Sequence, residues 1–217
     1  MDHSLTEENY LKTILALSGG SDEVTVNELS QRLGIKMPTV TSMMKKLAEK
    51  KLVQYQSYKP LKLTEQGRQE ASAIIRKHRL TEMFLVQVMG FGWEEVHEIA
   101  EQVEHVRSSH FFEKMDEMLG YPKIDPHGSP IPDKHGRMEG VPHKKLSEAG
   151  PGETVTLAAV LNSSADFLKY LNSRDLRLGT AITVRSVEAF DGSMIISYDD
   201  RPGETISLTV SDLLLVE

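Results

Sequence analysis

The sequence predicts a mainly α-helical chain with a small β domain: a winged helix-turn-helix, a helical dimerisation domain, and a C-terminal SH3-like barrel. Three observations predict it. Residues 25–64 read as helix, glycine-containing turn, helix and two short strands, the order of a winged helix. Residues 64–119 place apolar side chains at helical spacing in three successive segments. Past a stretch dense in proline and glycine, the apolar period falls to two, as in strands. The expected boundaries are 1–63, 64–120, a Pro/Gly-rich linker at 121–152, and 153–217. A chain of 217 residues is long enough for two or three modules.

Taken in order, Thr6 precedes Glu7, Glu8 and Asn9, and Tyr10, Leu11, Ile14, Leu15 and Leu17 recur at helical spacing. Thr6 is the expected N-cap and Gly19-Gly20 the expected stop. Residues 25–35 give a short helix closed by Gly34, and Pro38 is expected at the first position of the next helix, with Val40, Met43, Met44 and Leu47 turned inward. Residues 52–56 and 59–64 are the two wing strands. A long helix runs from Thr64 to about Met89. The next is expected from 94 to 106, with Val96, Ile99, Ala100, Val103 and Val106 as its apolar stripe. The third, from about Ser109 to Leu119, carries Phe111, Phe112, Met115 and Met118, which suit a core or a homodimer interface. Strands are expected at 154–160, 181–187, 193–198 and 204–210, with a helix at 165–171 among them, and this mixture suggests the SH3-like barrel.

Composition excludes several classes. No cysteine is present, so disulfides, thiolate zinc sites and cysteine-held iron–sulfur clusters are ruled out, and any metal must be held by oxygen and nitrogen. No apolar run is long enough to span a membrane, and the first residues lack a secretory pattern, so the expected location is cytoplasmic, with no membrane partner. The net charge of −7 is uneven. Between Lys36 and Lys62 seven lysines stand against the single acid Glu49, so this segment carries +6 and the remainder −13. The basic cluster coincides with the helix-turn-helix and wing, whose second helix enters the major groove of double-stranded DNA. Lys36, Pro38, Thr39, Thr41 and Ser42 are the expected contacts near its N-terminus, and Lys45, Lys46 and wing Lys59 the expected phosphate contacts. A winged helix used for protein contact, with the lysines merely solvated, is the alternative.

At about 100° per residue, His97, Glu101, Glu104 and His105 fall together beside the apolar stripe of the 94–106 helix. Two imidazoles and two carboxylates so placed suit a divalent metal, or else form an ordinary solvated acidic face. Upstream, His78 and Glu82 stand at i, i+4 on one helical face, which favours the metal.

Four stretches together resemble the diphtheria toxin repressor family of metal-dependent transcription regulators: residues 8–14 (ENYLKTI), 76–82 (RKHRLTE), 96–106 (VHEIAEQVEHV) and 126–132 (PHGSPIP). The resemblance covers essentially the whole chain and implies two metal sites. The first would use Asn9, His78, Glu101, Glu104 and His105. Asn9 departs from the aspartate or methionine usual there, and would ligate through its amide oxygen or its backbone carbonyl, or else lie just outside the shell. The second would use Glu82, His97, Asp125 and His127, with Asp166 from the C-terminal domain. The resemblance further implies a homodimeric repressor of metal-ion homeostasis that binds palindromic operator DNA with the metal as corepressor. Manganese-responsive members tend to carry a carboxylate at the position of Glu101 and iron-responsive members a thiol, which points to Mn(II), with Fe(II) as the alternative. Zn(II) or Co(II) would bind such a set in the test tube. The rival is a metallohydrolase with an accessory winged helix, but the His-Glu-x-x-His pattern is missing, and no catalytic residue or small organic substrate is assigned.

Overall fold

The structure, a computed structural model, describes residues 3–18, 22–138, 140 and 142–217. The expected stop at Gly19-Gly20 lies outside these residues. The chain divides into two compact units. One comprises Met1–Thr81, Ala100–Met115 and Ile131–Met138, the other Glu82–Ile99, Asp116–Pro130 and Glu139–Glu217.

The first unit opens with α1 (Leu5–Leu17). Ser4, not Thr6, is its N-cap. The Ser4 hydroxyl accepts from the Glu7 N–H, and the Glu7 carboxylate accepts from the Ser4 N–H at 2.8 Å. This reciprocal capping box needs a hydroxyl three residues before a carboxylate, a spacing that Ser4 and Glu7 satisfy. Thr25 and Glu28 repeat it at the start of α2 (Val26–Leu33), which Gly34 ends with φ 65°. In α3 (Met37–Glu49), Lys36 is the N-cap and makes no side-chain cap, so Pro38 takes the second helical position where the first was expected. The wing is shorter in strand than expected: β1 (Val53–Gln54) pairs with β2 (Lys62–Leu63), Val53 opposite Leu63, and Leu61 bridges to Val24. Pro60 lacks an N–H and Tyr58 has φ 65°, and neither can extend a ladder.

Glu65–Gln87 form α4. Its first turn sits on the wing: Thr64 N–H donates to the Leu52 carbonyl at 3.0 Å, and a Cβ on Gly67 would lie 2.0 Å from that same oxygen. Only glycine permits so close an approach. Tyr10, Leu11, Ile14, Leu29, Val40, Met44, Leu47, Leu52 and Leu61 close the core of this unit, each 2% exposed or less. α5 (His97–Val103) is shorter than the predicted 94–106, because Gly92–Glu95 make a turn in which the Glu95 carboxylate accepts from the Gly92 N–H. Glu104 still donates its N–H to the Ala100 carbonyl, so the helical geometry reaches one residue further. α6 spans Ser109–Met118.

The second unit is built on a six-stranded antiparallel sheet of order β3-β8-β4-β5-β6-β7. The strands are β3 (Lys144–Lys145), β4 (Thr154–Val160), β5 (Ala181–Val187), β6 (Met194–Tyr198), β7 (Arg201–Ile206) and β8 (Leu214–Val216). Register shifts at Leu157/Ala159, Val184/Ser186 and Ile196/Tyr198 bend it. Helix α7 (Ala165–Asn172) buries Leu168 and Leu171 with Leu157, Ile182, Val184, Met194 and Ile196. The strand expected at 204–210 ends at Ile206. There Ser207 caps the short α8 (Leu208–Ser211), its hydroxyl accepting from the Val210 N–H. Among the described residues no helix is long and apolar enough to cross a membrane.

Candidate metal centre

In the first unit, α1 and the segment 101–105 bring opposite charges together. Lys12 donates to Glu101 Oε1 at 2.6 Å and to both carboxylate oxygens of Glu104 at 2.7 and 2.9 Å. Glu104 is fully buried, and its Oε2 also lies 2.6 Å from His78 Nδ1 on α4. His105 Nδ1 meets Glu8 Oε2 at 2.5 Å, and its Nε2 is 3.7 Å from Glu104 Oε1. Asn9 stands one turn before Lys12 on α1. The hydroxyl of Thr13 already donates to its backbone carbonyl at 2.8 Å, while its amide Oδ1 is buried and has no hydrogen-bond partner. The free acceptor is therefore the amide oxygen and not the carbonyl.

These residues fit a divalent cation. The donors are hard to borderline. A buried oxygen lacks a partner, and a positive charge already lies between the two carboxylates. Glu8 and Lys12, at i, i+4 on the inner face of α1, belong to this cluster, and sequence reasoning missed both. Their spacing was the available signal.

In the second unit Glu82, Asp125 and His127 are all buried, with ligand atoms within 4.8 Å of one another. His127 Nε2 lies 2.9 Å from the Trp93 carbonyl. A carbonyl only accepts, so Nε2 carries a proton and Nδ1 faces Glu82 at 3.5 Å. A backbone carbonyl on the far nitrogen is the usual way to orient a metal-ligating imidazole. Burial alone would push the His127 imidazole down, but Glu82, Asp125 and the Trp93 carbonyl together hold its pKa above the ordinary value. His97 is half exposed, its Nδ1 3.3 Å from Glu82 Oε1. Asp166 is exposed in the first turn of α7 and is not part of this cluster.

The proline-rich loop that supplies Asp125 and His127 is an ordered turn. Asp125 Oδ1 accepts from the N–H groups of His127 and Ser129, and Ile124 bridges to Pro130. Gly128 has φ 85°, and a Cβ there would lie 2.3 Å from the Ala158 carbonyl. The His127 carbonyl accepts from the Val160 N–H at 3.0 Å, so β4 holds the loop.

The expected DNA surface is mostly open: Lys36, Pro38, Thr39, Ser42, Lys45, Lys46 and Lys59 are exposed and Thr41 is partly so. The Ser42 hydroxyl bonds back to the Pro38 carbonyl. Three of the seven lysines are paired with acids outside the basic segment. Lys46 and Lys50 reach Glu7 at 3.2 and 2.7 Å, and Lys62 reaches Glu23 at 3.0 Å. The charge count along the chain therefore overstated the positive patch. It also passed over Met37 and Tyr58, 47% and 106% exposed, on the first turn of α3 and in the wing.

A winged helix whose first helix also lines a carboxylate–imidazole cluster defines a metal-sensing regulator, and the comparisons with known proteins agree. Residues 3–61 match the model described as "Iron dependent repressor, N-terminal DNA binding domain", residues 64–133 match "Iron dependent repressor, metal binding and dimerisation domain", and residues 144–217 match the FeoA domain. The chain is 34% identical over 143 residues to the diphtheria toxin repressor of Corynebacterium jeikeium, a match covering 66% of this chain. It is 38% identical over 127 residues to the iron-dependent repressor IdeR of Mycobacterium bovis, covering 58% of this chain. It spans 60% and 55% of those relatives' own lengths. The solved structure described as "Manganese-dependent transcriptional repressor complex with manganese" aligns with TM-score 0.86 and 32% identity, over 97% of this chain and 98% of that one. The chain belongs to the diphtheria toxin repressor family of metal-dependent transcription regulators. Its relatives are transcriptional repressors, not enzymes.

Proposed function

We propose that this chain is a homodimeric, metal-dependent repressor that binds palindromic double-stranded operator DNA with Mn(II) as corepressor, Fe(II) being the alternative. The first metal would be held by Asn9, His78, Glu101, Glu104 and His105, the second by Glu82, His97, Asp125 and His127. Asp166 would join the second only by a movement of its exposed helix turn. A divalent cation in the first set would supply two positive charges to carboxylates that a single ammonium now shares.

The observation that carries this reading is the double attachment of α1. One side of the helix, through Glu8 and Lys12, faces Glu101, Glu104 and His105. Another, through Glu7, grips Lys46 and Lys50 at the C-terminal end of α3. The proposed ligand Asn9, the cluster residues Glu8 and Lys12, and Glu7, which grips α3, thus all lie within two turns of one rigid element. A few kcal/mol of preference for one arrangement is enough to switch occupancy of the operator.

On this reading Lys36, Pro38, Thr39, Thr41 and Ser42 meet the major groove, and Lys45, Lys46 and Lys59 meet phosphates. Phe111 and Met118, seven residues apart on one face of α6 and 44% and 64% exposed, suit an apolar contact with a second copy. Fluorescence anisotropy of an operator fragment, titrated with Mn(II), reduced Fe(II) and Zn(II), tests the proposal. Binding should appear with metal, vanish with chelator, and reach its maximum with Mn(II). Equal affinity with and without chelator would refute it.

A further inference from the structure

Lys12 stands inside the first site. Its side chain is 18% exposed, and its ammonium has three N–H donors and three carboxylate oxygens within 2.9 Å: Glu101 Oε1, Glu104 Oε1 and Glu104 Oε2. The groups around it are acids and imidazoles: Glu101, Glu104 and, beyond them, Glu8, His78 and His105.

We propose that Lys12 is an internal competitor for the metal: its ammonium occupies the Glu101–Glu104 carboxylate pair, and a divalent cation can use those oxygens only by displacing it. The inference rests on the first-site assignment made above. Two consequences follow. First, Lys12 weakens the apparent affinity of the site, because charge-assisted contacts must be given up before the oxygens are free. Second, it holds α1 against Glu101 and Glu104 when no metal is bound. Metal loading then exchanges a one-charge clamp for a two-charge clamp, and does not assemble the helices from a separated state. Lys12 is in this sense a residue that sets the response threshold, and not a ligand.

The test uses the full chain with His127→Gln to silence the second site, and counts free Mn(II) by electron paramagnetic resonance. Lys12→Met keeps the aliphatic stem and removes the charge. It should bind Mn(II) roughly tenfold to a hundredfold more tightly, the range set by a charge-assisted hydrogen bond. Its metal-free form should melt lower than the parent, and its metal-loaded form should not, so the metal-induced shift in Tm grows. Lys12→Arg, which keeps the charge, should stay near the parent in affinity. If Lys12→Met does not fold, Lys12→Gln carries the same expectation. Unchanged or weaker Mn(II) binding in the folded neutral variant overturns the proposal. Glu104→Gln separates the two levels. If it abolishes binding while Lys12→Met is silent, only the competitor role falls. If it leaves Mn(II) binding intact, the first-site assignment falls and takes this inference with it.

Discussion

The carboxylate of Glu7 is 1% exposed and lies 2.7 Å from the ammonium of Lys50, at the C-cap of α3. Burial would raise its pKa, but Lys50, the Ser4 N–H and Lys46 more than offset that and hold it at about 2. The folded value is below the unfolded one, so this contribution is fully present above pH ~4.5 and disappears as pH falls toward ~2. Glu7→Gln should cost on the order of 2–3 kcal/mol at pH 7. The gap between variant and wild type should close in urea melts near pH 2. A gap that is the same at pH 2 and pH 7 would show that the charge of Glu7 is not what stabilises α1 against α3.

Lys45 is exposed, and no ion pair is recorded for it among the described residues, whereas Lys46 already shares Glu7. Lys45→Ala should therefore reduce the salt dependence of operator binding by nearly one counterion. Lys46→Ala should reduce it by less. Equal slopes for wild type and Lys45→Ala, measured from 50 to 200 mM salt, would move the phosphate contacts elsewhere.

Gly128→Ala forces a side chain against the Ala158 carbonyl at a positive φ. A loss of roughly 2 kcal/mol or more is expected, with the second metal equivalent lost and the first retained. Metal stoichiometry by calorimetry and the melting temperature decide this. A variant that keeps both equivalents would mean that the loop does not shape the second site.

Glu101→Cys replaces a hard oxygen with a soft sulfur while Glu104, His78 and His105 remain. DNA binding should shift from Mn(II) toward Fe(II) or Zn(II) as the activating ion. A variant still activated best by Mn(II) removes Glu101 as the selectivity residue.

Much of this architecture was legible along the chain, since hydrophobic periodicity and glycine stops report burial directly. Val40, Met44 and Leu47 are fully buried, as the helical spacing required, while Met43, expected inward with them, is only partly buried against that core. Boundaries fared less well where side chains decide them. Thr6 looked like a cap until the Ser4–Glu7 pair took the role, and Leu208 to Val210 alternate like a strand but follow a capping serine. The carboxylate–imidazole cluster was half legible. Histidines and glutamates on the segment 97–105 stood out by number, but Glu8 and Lys12 look like any solvated helix face. Only the packing of α1 shows that they point at residues some ninety positions away in sequence. The count of lysines erred in the opposite direction, because the partners of Lys46, Lys50 and Lys62 come from outside the segment in which charge was counted.

The capping box at Ser4 fixes where α1 begins, and from that point Glu7, Glu8 and Lys12 are placed by counting alone. One residue inserted or removed between Glu7 and Lys12 would turn everything after it by about 100°, swinging Lys12 away from Glu101 and Glu104 while Glu7 still held α3. The length of this segment is thus a ruler. Within it, substitutions are tolerable position by position, but a change of length is not, so the reading frame of the helix face is itself a heritable part of the sensor.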